Sequence, residues 1–142
     1  MSGRTVIGKY VRIGEYSALF GGKNGIILED FSGLSSRCVI YAESDDYSGS
    51  VLTNPTVDDG YRNIIGGQVS LRKHVIVGTG TSIMPGVEIG EGTAVGSMSL
   101  VNRSLDKWSV YAGIPCKYIK ERQGKLLEFE QDFLVKRAEE AE

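Results

Sequence analysis

The sequence predicts an all-β fold: a parallel β-helix solenoid with a long inserted loop and a C-terminal α-helix. Three observations predict it: an aliphatic period of six residues, a high glycine content, and a polar central stretch that lacks the period. The chain has 142 residues, of which 19 are glycine and 3 are proline. Glycine at that frequency, without Ser- or Pro-rich tracts, indicates many regular turns rather than disorder.

The period is clearest between residues 71 and 101. Aliphatic residues occupy every sixth position without a slip, and a small or β-branched residue follows four places after each of the first five. They are Leu71, Val77, Ile83, Ile89, Val95 and Val101, followed by Val75, Thr81, Val87, Thr93 and Ser99. An α-helix repeats every three or four residues and a β-meander every two, so neither explains this pattern. We interpret each hexad as one short strand and one corner, with both periodic positions pointing inward.

Glycine directly follows the aliphatic residue at Gly78, Gly90 and Gly96. A corner that needs positive φ or close backbone approach explains this placement.

The N-terminal part carries the same period more weakly. Aliphatic residues are in phase on both sides of the glycine-rich segment 21–25, which breaks the phase. They are Ile7, Ile13 and Leu19 before it, and Leu28, Leu34 and Ile40 after it. An insertion or irregular corner explains the break, and ordinary strands are the alternative for this half. We expect the solenoid to span residues 1–122.

Two segments fall outside the period. Residues 43–67 are polar and predict a long loop that leaves the coil, and loops of that length in compact domains are usually functional or disordered. Residues 123–142 place Leu126, Phe129 and Phe133 among Glu and Lys, without proline. This segment predicts an amphipathic helix that caps the open end of the solenoid.

Composition excludes several classes of function. A net charge of -2 gives no electrostatic basis for nucleic-acid binding. No stretch approaches the roughly 20 apolar residues that a membrane span needs, and the N-terminus has no apolar core of signal-peptide length, so we expect a cytoplasmic protein. Cys38 and Cys116 match no metal-ligand spacing, so we expect buried thiols and no metal site.

Two segments resemble a known family. IGEGTAVGSMSLV at residues 89–101 and VYAGIPCKYIK at residues 110–120 are similar to the hexapeptide-repeat acetyltransferases, and within them to the sugar O-acetyltransferases of the galactoside and maltose type and of capsule and O-antigen synthesis. The resemblance covers residues 5–122. It implies a left-handed parallel β-helix and a homotrimer with active sites between subunits. It also implies acetyl-CoA as donor and a sugar or sugar-derivative hydroxyl as acceptor, in surface polysaccharide biosynthesis.

The catalytic base has two candidates. His74, the single histidine, precedes the inward Val75 and is expected to point outward near a corner, where a trimer groove could use it; an imidazole titrates near neutral pH, as a general base should. Asp45 and Asp46 lie in the loop where the family's catalytic histidine is expected, and they are rival bases or orienters of His74. The alternatives are a surface histidine and solvated loop acids.

The resemblance also implies the residues that bind coenzyme A. It places six side chains along the pantetheine arm and the phosphates: Thr79, Ser97, Asn102, Arg103, Lys117 and Lys120. Small residues leave space for the extended arm, and clustered cations suit phosphate groups. The alternative for each cation is a solvated surface charge.

Other functions remain open beside sugar O-acetylation. The chain could acetylate the amine of an amino-sugar nucleotide, because an amine needs less help from a base than a hydroxyl, or it could be a catalytically silent scaffold. A γ-type carbonic anhydrase is excluded, because that enzyme holds zinc with three histidines and this chain has one.

Overall fold

Sixteen short strands and one α-helix form the regular structure of residues 1–141, the part of the chain that the computed structural model describes. The strands are β1 Thr5–Ile7, β2 Arg12–Ile13, β3 Ala18–Phe20, β4 Ile26–Leu28, β5 Gly33–Leu34, β6 Val39–Tyr41, β7 Glu43–Ser44, β8 Ile65–Gly66, β9 Val69–Leu71, β10 Ile76–Val77, β11 Ser82–Ile83, β12 Glu88–Ile89, β13 Ala94–Val95, β14 Leu100–Val101, β15 Ser109–Gly113 and β16 Cys116–Glu121. The helix α1 is Leu126–Ala141. Glu142, the last residue of the predicted capping segment, lies outside the described residues.

Three parallel sheets receive consecutive strands in rotation. The first sheet has the order β1-β4-β9-β12, the second β2-β5-β10-β13-β15, and the third β3-β6-β11-β14. Leu71 pairs with Ile89 in the first sheet and Ile83 with Val101 in the third, so one turn of the coil comprises three hexads. This rotation agrees with the predicted parallel solenoid, whose left-handed sense stays a prediction. β16 joins the second sheet as an antiparallel hairpin partner of β15.

The periodic side chains form the core. Every residue of both predicted series between positions 71 and 101 is buried. In the N-terminal half, Leu19, Leu28, Leu34 and Ile40 are buried as well, whereas Ile7 lies on the edge strand β1 and is exposed. Each fully buried aliphatic side chain contributes about 1.5–3 kcal/mol. Parallel register places these side chains directly above one another on successive turns.

The corners show which of the two explanations, positive φ or close backbone approach, applies to the glycines that follow the aliphatic residues. Positive φ occurs two residues after them, at Gly80, Gly92 and Met98. Gly78 and Gly90 are instead required by close approach: a Cβ on Gly78 would lie 2.5 Å from the backbone nitrogen of Ser97 on the next turn. A side chain at such a position would push successive turns apart.

The predicted loop is an ordered excursion from the coil. It leaves after β6, and its ends pair as the antiparallel strands β7 and β8, with Glu43 opposite Gly66 and Ser44 opposite Ile65. A short 3-10 helix occupies Asp59–Tyr61.

The helix α1 packs along a corner of the coil. The described contacts join its Phe133 ring to Tyr10 at 5.0 Å and to Phe31 at 6.1 Å, and its Glu130 to His74 at 3.2 Å. Tyr10, Phe31 and His74 belong to successive turns and all have positive φ. The apolar face of α1 therefore finds its partners in this aromatic corner, and the capping of the open end of the solenoid stays a prediction. No helix among residues 1–141 has both the length and the hydropathy to cross a membrane.

Candidate functional site

A cavity of about 430 Å³ lies between the third sheet and the 43–67 loop. One wall consists of Phe20, Tyr41 and Met84, which occupy equivalent positions on three successive turns. The facing wall comes from the loop, and Ser2 and Gly22 complete the lining. The loop residues are Glu43, Ser44, Asp45, Tyr47, Arg62 and Ile64. The volume of the cavity is in the usual range for small-ligand sites.

Asp45 is held in this cavity by two donors. Arg62 Nη2 donates to its Oδ1 at 2.9 Å, and the backbone N–H of Asn54 donates to its Oδ2 at 3.1 Å. The side chains of Asp45 and Arg62 are 21% and 12% exposed. The hydrogen bond from Arg62 is the main reason that the pKa of Asp45 lies below its usual value. Asp45 is consequently ionised at neutral pH, which suits binding of a cation better than removal of a proton.

Asp46, the second predicted loop acid, is engaged elsewhere. It accepts hydrogen bonds from Asn63 Nδ2 at 2.9 Å and from the Ser48 backbone N–H at 2.7 Å. The bond from Asn63 is the first cause of the lowered pKa of Asp46. The described lining of the cavity includes Asp45 and excludes Asp46.

Glu43 is a second fixed carboxylate in the lining, which sequence analysis missed. Its Oε1 accepts the backbone N–H of Lys23 at 2.7 Å. Gly22 has φ +52°, and a Cβ there would lie 2.2 Å from the Glu43 carboxyl carbon. The irregular corner at residues 21–25 therefore packs against this carboxylate. In the sequence, the glycine cluster that breaks the hexad phase was the one feature that pointed to this irregular corner.

His74 has the predicted corner position but not the predicted exposure. It has φ 62°, is 9% exposed, and stacks on Phe31 with ring centroids 5.0 Å apart. Its Nε2 lies 3.2 Å from a carboxylate oxygen of Glu130 on α1. The side chain is buried because α1 covers this corner.

Within the described chain, the structure does not bring His74 together with the loop acids. The cavity beside His74 is lined by Phe31 and by residues of α1, and it includes no residue of the 43–67 loop. Orientation of His74 by Asp45 or Asp46 would therefore need a neighbouring subunit, and it stays a prediction. The acidic neighbour of His74 is Glu130, which lies in the segment that the sequence predicts as a capping helix.

The residues predicted to bind coenzyme A fall in two groups. Thr79 and Ser97 lie on adjacent turns of the corner between the second and third sheets, where the carbonyl of Thr79 accepts the backbone N–H of Met98 at 2.8 Å. The second group surrounds the β15–β16 hairpin and is exposed. It comprises Asn102, Arg103, Lys117 and Lys120, with the Arg103 guanidinium 5.7 Å from the centre of the Tyr111 ring. Among residues 1–141, none of these six lines the 430 Å³ cavity.

Comparison with known proteins gives close relatives, although no protein-family model matches the chain. AntD, an N-acyltransferase from Bacillus cereus solved in complex with dTDP and 3-hydroxybutyryl-CoA, has 47% sequence identity and a TM-score of 0.92, over 94% of this chain and 71% of that chain. The dTDP-4-amino-4,6-dideoxy-D-glucose acyltransferase of Escherichia coli is 41% identical over 124 residues, which are 87% of this chain and 64% of that protein. The chain thus spans slightly less than two thirds of this curated relative.

A more distant structure shares the fold. The hexapeptide-repeat containing acetyltransferase VCA0836 from Vibrio cholerae, complexed with acetyl-CoA, has a TM-score of 0.70 at 18% identity, over 84% of this chain and 61% of that chain. The closer similarities lie with amino-sugar acyltransferases rather than with the predicted galactoside and maltose branch. Because the match to AntD has 47% identity and covers more than two thirds of the AntD chain, this chain belongs to the hexapeptide-repeat acyltransferases.

Proposed function

We propose that the protein transfers an acyl group from acyl-coenzyme A to the amino group of an amino-sugar nucleotide. The similarity to AntD, which was solved with dTDP and an acyl-CoA, supports both substrates. The name of the Escherichia coli relative supports a 4-amino-4,6-dideoxyhexose nucleotide as acceptor. This was the alternative function in the sequence analysis, and it replaces sugar O-acetylation as the leading hypothesis.

The observation that carries this proposal is the fixed, ionised carboxylate of Asp45 in the 430 Å³ cavity. A sugar amine is a cation in part at neutral pH, and a carboxylate binds both its charged and its neutral form through N–H donors. The neutral amine then attacks the thioester carbonyl. The C–N bond forms as the C–S bond breaks, and the proton of the amine leaves with the thiol. An amine needs little help from a base, which fits a carboxylate with a lowered pKa.

The donor site is proposed from the predicted residues. We expect Thr79 and Ser97 to border the pantetheine arm at their corner, and Lys117 and Lys120 to bind the phosphates. Acetyl-CoA is the expected donor. We also infer a left-handed coil and a homotrimer with its active sites between subunits, which sedimentation velocity at micromolar concentration tests as one species of three times the chain mass.

The decisive experiment compares two acceptors that differ in one group. Release of free thiol from acetyl-CoA is followed with dTDP-4-amino-4,6-dideoxyglucose and with the same nucleotide carrying a hydroxyl at position 4. We expect thiol release with the amine alone, and an amide in the product by mass spectrometry. Transfer to the hydroxyl compound at a comparable rate would instead establish the O-acetyltransferase hypothesis.

Substitution of the three predicted catalytic residues assigns their roles. Asp45→Asn should lower kcat/KM for the acceptor by roughly 10- to 100-fold, because a hydrogen bond to a charged group is lost. Asp46→Asn and His74→Ala should change it less than 5-fold, since neither lines the cavity. Loss of activity in His74→Ala with a folded protein would return the base role to the histidine.

A further inference from the structure

The outward face of the third sheet carries two exposed aromatic rings at one position of the coil. Phe20 and Tyr41 pair in register on adjacent turns, and their rings stack with centroids 5.1 Å apart and planes 11° apart. They are 41% and 37% exposed. The other outward column of this sheet has no aromatic ring and carries small or aliphatic residues, namely Ala18, Val39, Ser82 and Leu100. Large apolar rings left open to water at one position point to a ligand rather than to folding.

We propose that Phe20 and Tyr41 bind the apolar face of the acceptor's hexose ring, and so select for a deoxy sugar. This inference rests on the proposed function and adds the part of the acceptor that the cavity holds. The rings form one wall of the cavity and the loop carboxylates the other. A sugar whose amine meets Asp45 occupies the cavity that the aromatic wall also lines.

Charge decides which part of a sugar nucleotide enters the cavity. Its lining includes two carboxylates, Glu43 and Asp45, and one cation, Arg62, which is already bonded to Asp45. A pyrophosphate group would meet net negative charge there, whereas an amino sugar would meet an attractive site. The nucleotide therefore extends out of the cavity, and the amino sugar occupies it.

The aromatic wall also has a consequence for specificity. Ring C–H groups and a methyl at the deoxy position lose little hydration when they pack against Phe20 and Tyr41, while an added hydroxyl must give up its hydrogen bonds to water. Discrimination of this kind against a hydroxyl is modest, on the order of 10- to 100-fold. We expect the protein to prefer the 6-deoxy amino sugar over its 6-hydroxy analogue within that range.

Steady-state kinetics with single variants tests the wall. Phe20→Ala and Tyr41→Ala should each raise KM for the 4-amino-6-deoxy sugar nucleotide roughly 5- to 10-fold, and reduce the preference over the 6-hydroxy analogue, with KM for acetyl-CoA unchanged. Tyr41→Phe keeps the ring and should behave as wild type. Tyr16→Ala is the matched control, because Tyr16 is 84% exposed at another corner. An unchanged acceptor KM, or a raised KM for acetyl-CoA instead, would overturn the inference.

Saturation-transfer NMR on the wild-type protein locates the contact independently of activity. Saturation of the aromatic protons should reach the sugar methyl and ring protons of the bound nucleotide, and the effect should fall in both alanine variants. Transfer to the base protons alone would show a nucleobase site and overturn the hexose assignment. If the wild-type protein binds the sugar in this way but transfers no acyl group, the proposed function is overturned, whereas the inference that Phe20 and Tyr41 bind the hexose still holds.

Discussion

The ion pair between Asp45 and Arg62 links the fold of the loop to its chemistry. The pKa of Asp45 is lower in the folded chain than in the unfolded chain, mainly because Arg62 donates to the ionised form. The pair therefore stabilises the fold above the unfolded pKa, near 3.9, and this stabilisation is lost as the pH falls through the lowered folded pKa.

Arg62→Gln should consequently lower Tm most at neutral pH, with a deficit that narrows below about pH 4. The measurement is Tm against pH for both proteins. The control is Arg12→Gln, whose 3.8 Å pair with Glu15 is largely exposed and should matter little at any pH. A deficit of equal size at pH 7 and in acid would show that Arg62 acts by packing and not through the carboxylate.

Gly92 shows how one corner residue controls the spacing of turns. It has φ +73°, and a Cβ there would lie 2.3 Å from the Trp108 ring on the next turn. Gly92→Ala should therefore destabilise the protein by about 2 kcal/mol, from backbone strain and overpacking together. Urea denaturation measures this. Gly60→Ala is the control, because its added Cβ would meet no atom within 4 Å, and equal midpoints for the two variants would contradict the argument.

At the scale of elements, the sequence predicts the strands well and does not specify which surface the helix packs against. Each hexad specifies its own inward residue, so burial from Leu71 to Val101 follows from a local pattern. The apolar residues of α1 indicate only that the helix packs against some apolar surface, and they do not specify which one. That surface is a corner built from Tyr10, Phe31 and His74, which are far apart in sequence and adjacent only once the coil is wound.

The candidate site also combines features that the sequence predicts with features that only the fold reveals. Asp45 was predictable as a loop acid at the place where the family has a histidine. Its lowered pKa was not predictable, because Arg62 reaches the carboxylate only through the fold of the loop. Phe20 and Tyr41 each follow an inward aliphatic residue, so their outward direction was predictable, but their pairing was not, because the segment 21–25 breaks the hexad phase between them. The cavity they border was not visible, since it requires the position of the 43–67 loop.

The attachment of α1 can be tested separately from the coil. Phe133 contacts the Tyr10 and Phe31 rings, so Phe133→Ala should loosen the helix and leave the solenoid intact. Hydrogen exchange of α1 amides should accelerate by roughly 10-fold, the effect of losing an aromatic pair and its buried area. Val135→Ala on the same helix, where Val135 is 60% exposed, serves as control. Faster exchange throughout the strands would mean that α1 and the coil unfold as one unit.

At the scale of the whole molecule, the proposed donor and acceptor sites use different parts of the coil. The acceptor cavity lies beside the loop on the N-terminal turns, whereas Lys117 and Lys120 lie on β16 at the C-terminal end. Acyl transfer requires the thioester, at the far end of the pantetheine arm from the phosphates, to reach Asp45. The proposed homotrimer, which the family resemblance implies, would bring a donor site of one subunit to an acceptor cavity of another.

Reversing the charge of both lysines tests this arrangement through the donor. Lys117→Glu with Lys120→Glu should raise KM for acetyl-CoA by roughly 10-fold, because two exposed cations become anions beside its phosphates, and leave KM for the acceptor unchanged. Coenzyme A at about 100 times its Kd should stabilise the wild type by about 2.7 kcal/mol, and the double variant less at the same concentration. The matched control, Lys9→Glu with Lys23→Glu, makes the same charge change on the first turns. Equal thermal shifts in wild type, control and double variant would remove Lys117 and Lys120 from the donor site, because a ligand that binds through them must lose affinity when their charge is reversed.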